Sequence, residues 1–185
     1  MASDTTEGQV GAPVALIQFA DFQCPFCASF SRDVLPTLRE RYFEPGLVSM
    51  VFRHLPLAKH AAARSAAAAA ICAGRAGKFG QMHDFLFGAQ PNLSQDVYIV
   101  GAKSMGLAGT DFVPCLSASE TEARIDEDLA EAAMLQISAT PTFIVVIAQD
   151  NGTGKATSRI QGARRLEEFE KALDDALATA RGSTR

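Results

Sequence analysis

The spacing of apolar and polar positions changes several times along this chain. Val14 to Ala20 (VALIQFA) is short, apolar and rich in strand formers, and reads as a buried strand with Asp21-Phe22-Gln23 as the turn out of it. The polar, Gly-containing stretch 1–12 before it reads as a loose arm. From Cys24 the period lengthens. Phe26, Phe30, Val34, Leu35 and Leu38 recur at helical spacing and predict one apolar helix face. Pro25 suits a first helical turn, where its missing N–H costs no bond. Pro36 lies inside the pattern and predicts a kink near Arg32–Asp33. Gly46 closes the helix, and Leu47–Arg53 reads as a second strand. Strand, helix and strand in so short a span predict a parallel pair joined by a helical crossover.

The middle of the chain is helical throughout. Ala61–Ala63 and Ala66–Ala70 are strong helix formers, and Gly77 ends that run. Phe79, Met82, Phe85 and Leu86 mark a second amphipathic stretch. Val97, Val100, Met105 and Leu107 mark a third that closes around Gly106, and Phe112, Val113 and Leu116 a short fourth. Ser119 with Glu122 predicts a capping box opening a fifth, whose inner face carries Ile125, Leu129, Ala132 and Ala133. Strand character returns at Thr142–Ile147. Asn151-Gly152 predicts a hairpin turn into a partner strand at Ala156–Ile160. Arg164–Ala180 reads as a last helix with Leu166, Phe169, Leu173, Ala176 and Leu177 inward. The ends thus read β-α-β and β-β-α around a helical insert. This predicts an α/β thioredoxin-like fold interrupted by an all-helical insertion. Residues 13–57 and 137–181 would form the discontinuous thioredoxin-like domain, and residues 58–136 the insertion domain.

Composition narrows the function classes. The chain has 185 residues, 48% of them hydrophobic and 21% charged, which fits one globular domain with room for an insertion. A formal charge of -4 gives no basic face, so no nucleic-acid partner is expected. No apolar run reaches the length of about 20 residues that a membrane span needs. Met1–Glu7 shows neither the basic segment nor the apolar core of a secretory signal, and a start from which a signal had been removed would read the same.

Four cysteines stand at positions 24, 27, 72 and 115. Cys24-Pro25-Phe26-Cys27 falls at a strand-to-helix junction. The first turn of a helix directs free N–H groups and a partial positive charge at whatever precedes it. A thiolate at Cys24 would collect those donors, so its pKa should fall into a range of roughly 3.5–7.5. Each unit of lowering stabilises the reduced form by about 1.4 kcal/mol, making Cys24 a better leaving group and its disulfide a stronger oxidant. Cys27, one turn into the helix, should be the more buried partner. A zinc site would need a second close pair, whereas Cys72 and Cys115 are isolated and His54, His60 and His83 show no paired spacing. No metal and no organic cofactor is therefore expected. Each histidine reads as structural, bonding to backbone or capping. Cys72 and Cys115 fit either a structural bridge or two buried free thiols. Thr140-Pro141 stands immediately ahead of a strand, where proline is tolerated.

With these features in place the chain resembles the DsbA-like thiol-disulfide oxidoreductases. The likeness runs in order through LIQFADFQCPFC (Leu16 to Cys27), Arg53-His54-Leu55-Pro56-Leu57 with His60, Gly77-Lys78-Phe79 with Met82-His83-Asp84, Phe112 with Cys115-Leu116, and Ala139-Thr140-Pro141-Thr142-Phe143. It implies an enzyme that oxidises dithiols of protein substrates, with Cys24 as nucleophile and Cys27 as resolving thiol. Thr140-Pro141 would form a cis-proline substrate loop, and Pro25 and Phe26 would face substrate with it. The resemblance further implies a periplasmic or other extracytoplasmic location, unfolded or reduced proteins as partners, a membrane oxidase or reductase that resets the pair, and a monomer. The oxidising compartment in turn implies a structural Cys72–Cys115 disulfide. Two positions depart from the family. Where an acid often relays the proton of the buried thiol, this chain has Gln18, which cannot titrate. Asp21 is nearer the motif and reads either as a relay or as a solvated turn residue. Phe26 replaces an imidazole and adds apolar surface. A disulfide isomerase or reductase is the alternative within this chemistry, and a non-catalytic binding or zinc-binding module the alternative outside it.

Overall fold

The computed structural model describes residues 5–149 and 153–182. Five strands form one sheet: β1 (Thr6–Glu7), β2 (Val14–Ala20), β3 (Val48–His54), β4 (Thr142–Ala148) and β5 (Gly154–Gln161). Their spatial order is β1-β3-β2-β4-β5. β2 runs parallel to β3, with Val14 opposite Val48, and antiparallel to β4, with Phe19 opposite Thr142. β4 and β5 form the antiparallel hairpin. Its Asn151-Gly152 turn lies outside the described residues. This is the expected α/β thioredoxin-like architecture, and the alternation of buried positions explains it. Val14 and Leu16 pack with Phe30, Leu35, Leu38, Phe143, Phe169 and Leu173, whereas Phe19 packs with Leu55, Ala132 and Ile137.

The crossover from β2 to β3 is α1 (Pro25–Asp33), α2 (Leu35–Leu38) and a π-helical turn at Arg39–Phe43. The break falls at Val34, because Pro36 has no N–H to return to Arg32. Between β3 and β4 lie α3 (Ala63–Arg75), α4 (Phe79–Gly88), α5 (Gln95–Ser104), α6 (Gly109–Cys115) and α7 (Ser119–Met134), and α8 (Leu166–Gly182) follows β5. The alanines of α3 allow close approach, so Ala66, Ala69, Ala70 and Ala73 pack in one cluster with Phe79, Met82 and Leu86 of α4 and with Cys24 and Cys27. The helical segment therefore forms one wall of the dithiol.

Several expectations are corrected. The arm before β2 is not loose: Thr6 and Glu7 pair with Val51 and Met50, and the Phe52 N–H donates to the Thr5 carbonyl at 2.9 Å. The Ser119–Glu122 capping box does not form. Ser119 lies inside α7, Ala118 caps it without a side-chain bond, and Glu122 accepts from Arg64 at 2.6 Å instead. The side-chain cap in this region is Ser94, whose hydroxyl accepts from the Val97 N–H at the start of α5. On α5 the inward residues are Tyr98, Gly101 and Ala102, and Val100 is exposed. A Cβ at position 101 would meet the Phe85 ring at 2.5 Å, so the helix approaches through its glycine rather than its valines.

Candidate active site

Cys24 is the residue before α1. It is extended (φ −76°, ψ 122°), its N–H donates to the Asp21 carbonyl at 3.0 Å, and its carbonyl accepts the first helical bond from Ala28 at 3.1 Å. The site of a side-chain cap is thus occupied by a sulfur. The Cys24 thiol is lowered from 9.0 to about 5. The largest cause is the hydrogen bond from the Cys27 thiol. Burial opposes it, and contacts with Thr140 and the N–H groups of Cys27 and Phe26 add to the lowering. Cys27 is fully buried, and burial pushes its thiol well above 9.0, reinforced by its donation to Cys24 and by that thiolate's charge. Two free thiols one helical turn apart are therefore driven in opposite directions.

Thr140 arrives from the far end of the chain. Its peptide bond to Pro141 is cis, and its carbonyl accepts from Cys24 Sγ at 3.5 Å. The Thr140 hydroxyl is buried with no other hydrogen-bond partner. Pro25 and Phe26 face outward, Phe26 with 62% of its surface exposed.

Asp21 is not a solvated turn residue. Its side chain is buried: Oδ1 accepts from the Gln23 N–H at 2.7 Å, and Oδ2 from the Leu57 N–H at 2.9 Å, with His60 Nδ1 at 2.7 Å. The carboxylate so ties the loop before Cys24 to the loop after β3. Gln18 lies on β2, fully buried, and neither its amide oxygen nor its nitrogen has a partner. His83 Nδ1 lies 2.8 Å from Asp84. The His54 ring makes no hydrogen bond, although the residue's backbone N–H donates to Asp128 at 2.8 Å. Cys72 and Cys115 are joined by a disulfide that fastens α3 to the end of α6. Among the described residues, no group of three or more His, Cys, Asp or Glu side chains is placed to hold a metal ion.

Sequence reasoning missed two glutamines. Gln23 Oε1 accepts from the Ala62 N–H at 2.8 Å, and Gln90 Nε2 donates to the carbonyls of Phe22 and, at 3.4 Å, of Cys24. Gln90 precedes a second cis proline, Pro91, beside a groove of about 700 Å³ that runs along α1 past Pro25, Ala28 and Arg32. The Gln-Pro dipeptide after a helix was visible in the sequence, but its target was not.

Comparisons with known proteins agree with this geometry. The alpha-DsbA1 structure of Wolbachia pipientis superposes with a TM-score of 0.87 at 23% identity, covering 100% of this chain and 96% of that one. DsbA2 of Pseudomonas aeruginosa gives 0.73 at 26% identity and covers 94% of each chain. BdbD of Bacillus subtilis gives 0.79 at 22% identity, covering 94% and 92%. Fold and dithiol together place the chain among DsbA-like thioredoxin folds with a Cys-x-x-Cys pair at the start of α1. The family profile for thioredoxin matches residues 2–175, and the chain belongs to that family. Curated relatives include the Na(+)/H(+) antiporters NhaA 3 of Salinispora tropica, 34% identical over 96% of this chain, and NhaA 1 of Salinispora arenicola, 33% identical over 96%. The chain spans about a quarter of the length of these relatives. Among its described residues no helix is long and apolar enough to cross a membrane.

Proposed function

We propose that this chain oxidises dithiols of protein substrates, with Cys24 as nucleophile and Cys27 as resolving thiol. The observation that carries this reading is the opposite displacement of the two thiols, Cys24 down to about 5 and Cys27 well above 9.0. A substrate thiolate attacks Sγ of Cys24 in the oxidised pair. The Cys24–Cys27 bond breaks, and Cys27 departs with the electron pair and takes up a proton, which its high pKa favours. The substrate's second thiolate then attacks its own sulfur in the mixed disulfide and expels Cys24, whose low pKa makes it the better leaving group. Two electrons have passed from substrate to enzyme. In the reverse direction Cys27 attacks the mixed disulfide and releases reduced substrate.

Pro25, Phe26, Thr140 and Pro141 form the substrate-facing surface in this reading. The exposed Phe26 ring offers apolar contact to unfolded chains, and the Thr140 carbonyl lies beside the sulfur under attack. Asp21 is the titratable side chain of the loop before the pair and the relay candidate. Gln18 supplies only hydrogen-bonding groups. Residues 13–57 with 137–181 act as the redox domain and residues 58–136 as its cover. The protein works as a monomer outside the cytoplasm, on reduced or unfolded proteins, and a membrane redox partner resets the pair.

Equilibrating the chain with glutathione and quantifying the Cys24–Cys27 disulfide tests the reading. A pair that oxidises reduced, unfolded protein in catalytic amount supports it. A pair more reducing than the glutathione pool would make the chain a reductase. Stoichiometric bound zinc with no dithiol turnover would leave the binding module.

A further inference from the structure

Gln90 sits in the loop after α4, yet its amide reaches the backbone on both sides of the turn that presents Cys24. Nε2 donates to the Phe22 carbonyl and, at 3.4 Å, to the Cys24 carbonyl. Two carbonyl oxygens converge on one group, so that group must be a donor, and neither glutamate nor an aliphatic side chain can replace it. Phe22 is held independently by its ring, which stacks on Phe52 at 5.0 Å and lies 4.9 Å from Phe87. The side chain of Cys24 is the reacting group, so its backbone is held by its N–H to the Asp21 carbonyl at 3.0 Å and by the helical bond from Ala28 at 3.1 Å, and Gln90 adds a hold on it from the helical segment.

We infer that Gln90 is a positioning residue for the nucleophile, the point at which the helical segment fixes the Cys24 backbone so that the first-turn N–H groups stay aimed at its sulfur. The inference rests on the oxidoreductase reading. Its energetic argument is differential. In the reduced form the sulfur takes hydrogen bonds from the Cys27 thiol first and from the N–H groups of Cys27 and Phe26 as well, and the aim of all three depends on the backbone setting of Cys24. In the oxidised form the covalent bond to Cys27 places the sulfur whether or not Gln90 is present. A residue that matters more to one state than to the other shifts the equilibrium between them.

Gln90→Met keeps length and bulk and removes the donor, and Gln90→Ala removes both. The readouts are the thiolate absorbance of Cys24 against pH and the equilibrium constant with glutathione, neither of which requires a substrate. We expect either variant to raise the Cys24 titration midpoint by about one unit and to move the equilibrium about tenfold toward the disulfide form, about 30 mV for this two-electron couple. The aromatic hold on Phe22 should keep the melting temperature within a few degrees of wild type. Titration and equilibrium unchanged within twofold in whichever variant folds would overturn the inference. A change in Gln90→Ala without one in Gln90→Met would overturn it as well, since bulk would then be the cause. A wild-type chain that forms no Cys24–Cys27 disulfide in glutathione would instead remove the oxidoreductase reading itself.

Discussion

The Cys24 sulfur lies 3.5 Å from the carbonyl oxygen of Thr140, across 116 positions of sequence. The sheet makes this contact unavoidable. β2 and β4 pair antiparallel with Phe19 opposite Thr142, so the end of one strand and the start of the other share an edge. The turn leaving β2 and the loop entering β4 must therefore meet, and each carries one half of the site. In the proposed reaction a substrate cysteine that reaches Cys24 comes to lie beside Thr140-Pro141.

The division of labour between the thiols predicts how single substitutions behave. Cys24→Ser should abolish oxidation of a reduced protein substrate, since the remaining Cys27 is fully buried. Cys27→Ser leaves Cys24 without its resolving partner and should accumulate mixed disulfides, visible on a non-reducing gel and cleared by added thiol. Full turnover by Cys24→Ser would contradict the assignment.

The low pKa of Cys24 makes the stability of the reduced form depend on pH. Its folded value, about 5, lies below the ordinary 9.0, so between those values the unfolded chain binds a proton that the folded chain has released. The contribution is fully present above about 9, and is lost as pH falls to about 5. The oxidised form has no such thiol. The melting temperature of the reduced form minus that of the oxidised form should therefore rise between pH 5 and pH 8, and the Cys24→Ser variant, which cannot form the pair, should lack the added pH dependence of the reduced wild type. Parallel curves across that range would show that the thiolate is not stabilised.

Local pattern and local chemistry were legible before the fold was known. β2 was readable to the residue, because Val14–Ala20 places strand formers on a strand with most of its positions buried. The dithiol was readable because two cysteines and a proline lie within one helical turn. What was not readable depends on partners far away in sequence. Thr6 and Glu7 carry no apolar pattern, and β3 recruits them. Asp21 looks like a turn residue until the Leu57 N–H and His60 arrive to cover it. The face of α5 was misread because a glycine and a tyrosine, rather than the valines, fit the space beside α4. Gln90 looks like an ordinary loop glutamine, and only the tertiary fold brings it to Cys24.

His54 predicts a second pH effect, with its own window. Its ring is buried against Phe52 at 5.0 Å and has no hydrogen-bond partner. Burial lowers its pKa from 6.5 to about 3, helped by the charges of Arg124, Arg53 and His83. The unfolded histidine takes a proton below about 6.5 and the folded one does not until about 3. Stability is therefore present above 6.5 and is lost as pH falls toward 3. Two units below the unfolded value, the loss is on the order of 2–3 kcal/mol. His54→Leu leaves no ring partner unsatisfied, and should shrink the difference in urea midpoint between pH 7.5 and pH 4.5. An unchanged difference would move the acid sensitivity to another group.

The Cys72–Cys115 bridge predicts a change in stability with little change in chemistry. It joins residues 43 apart and fastens α6, a seven-residue helix, to α3. Closing a loop of that size restricts the unfolded chain by about 4 kcal/mol on the chain-entropy account. At roughly 2–4 °C per kcal/mol for a chain of this length, Cys72→Ala with Cys115→Ala should lower the melting temperature by about 8–16 °C. The catalytic pair takes its hydrogen bonds from the α1 N–H groups and Thr140 rather than from the bridge, so dithiol oxidation should be largely retained at 25 °C. Calorimetry and a turnover assay on the same preparation separate the two effects. Unaltered melting would remove the stabilising role, and turnover lost while the fold persists would show that the bridge takes part in the redox cycle.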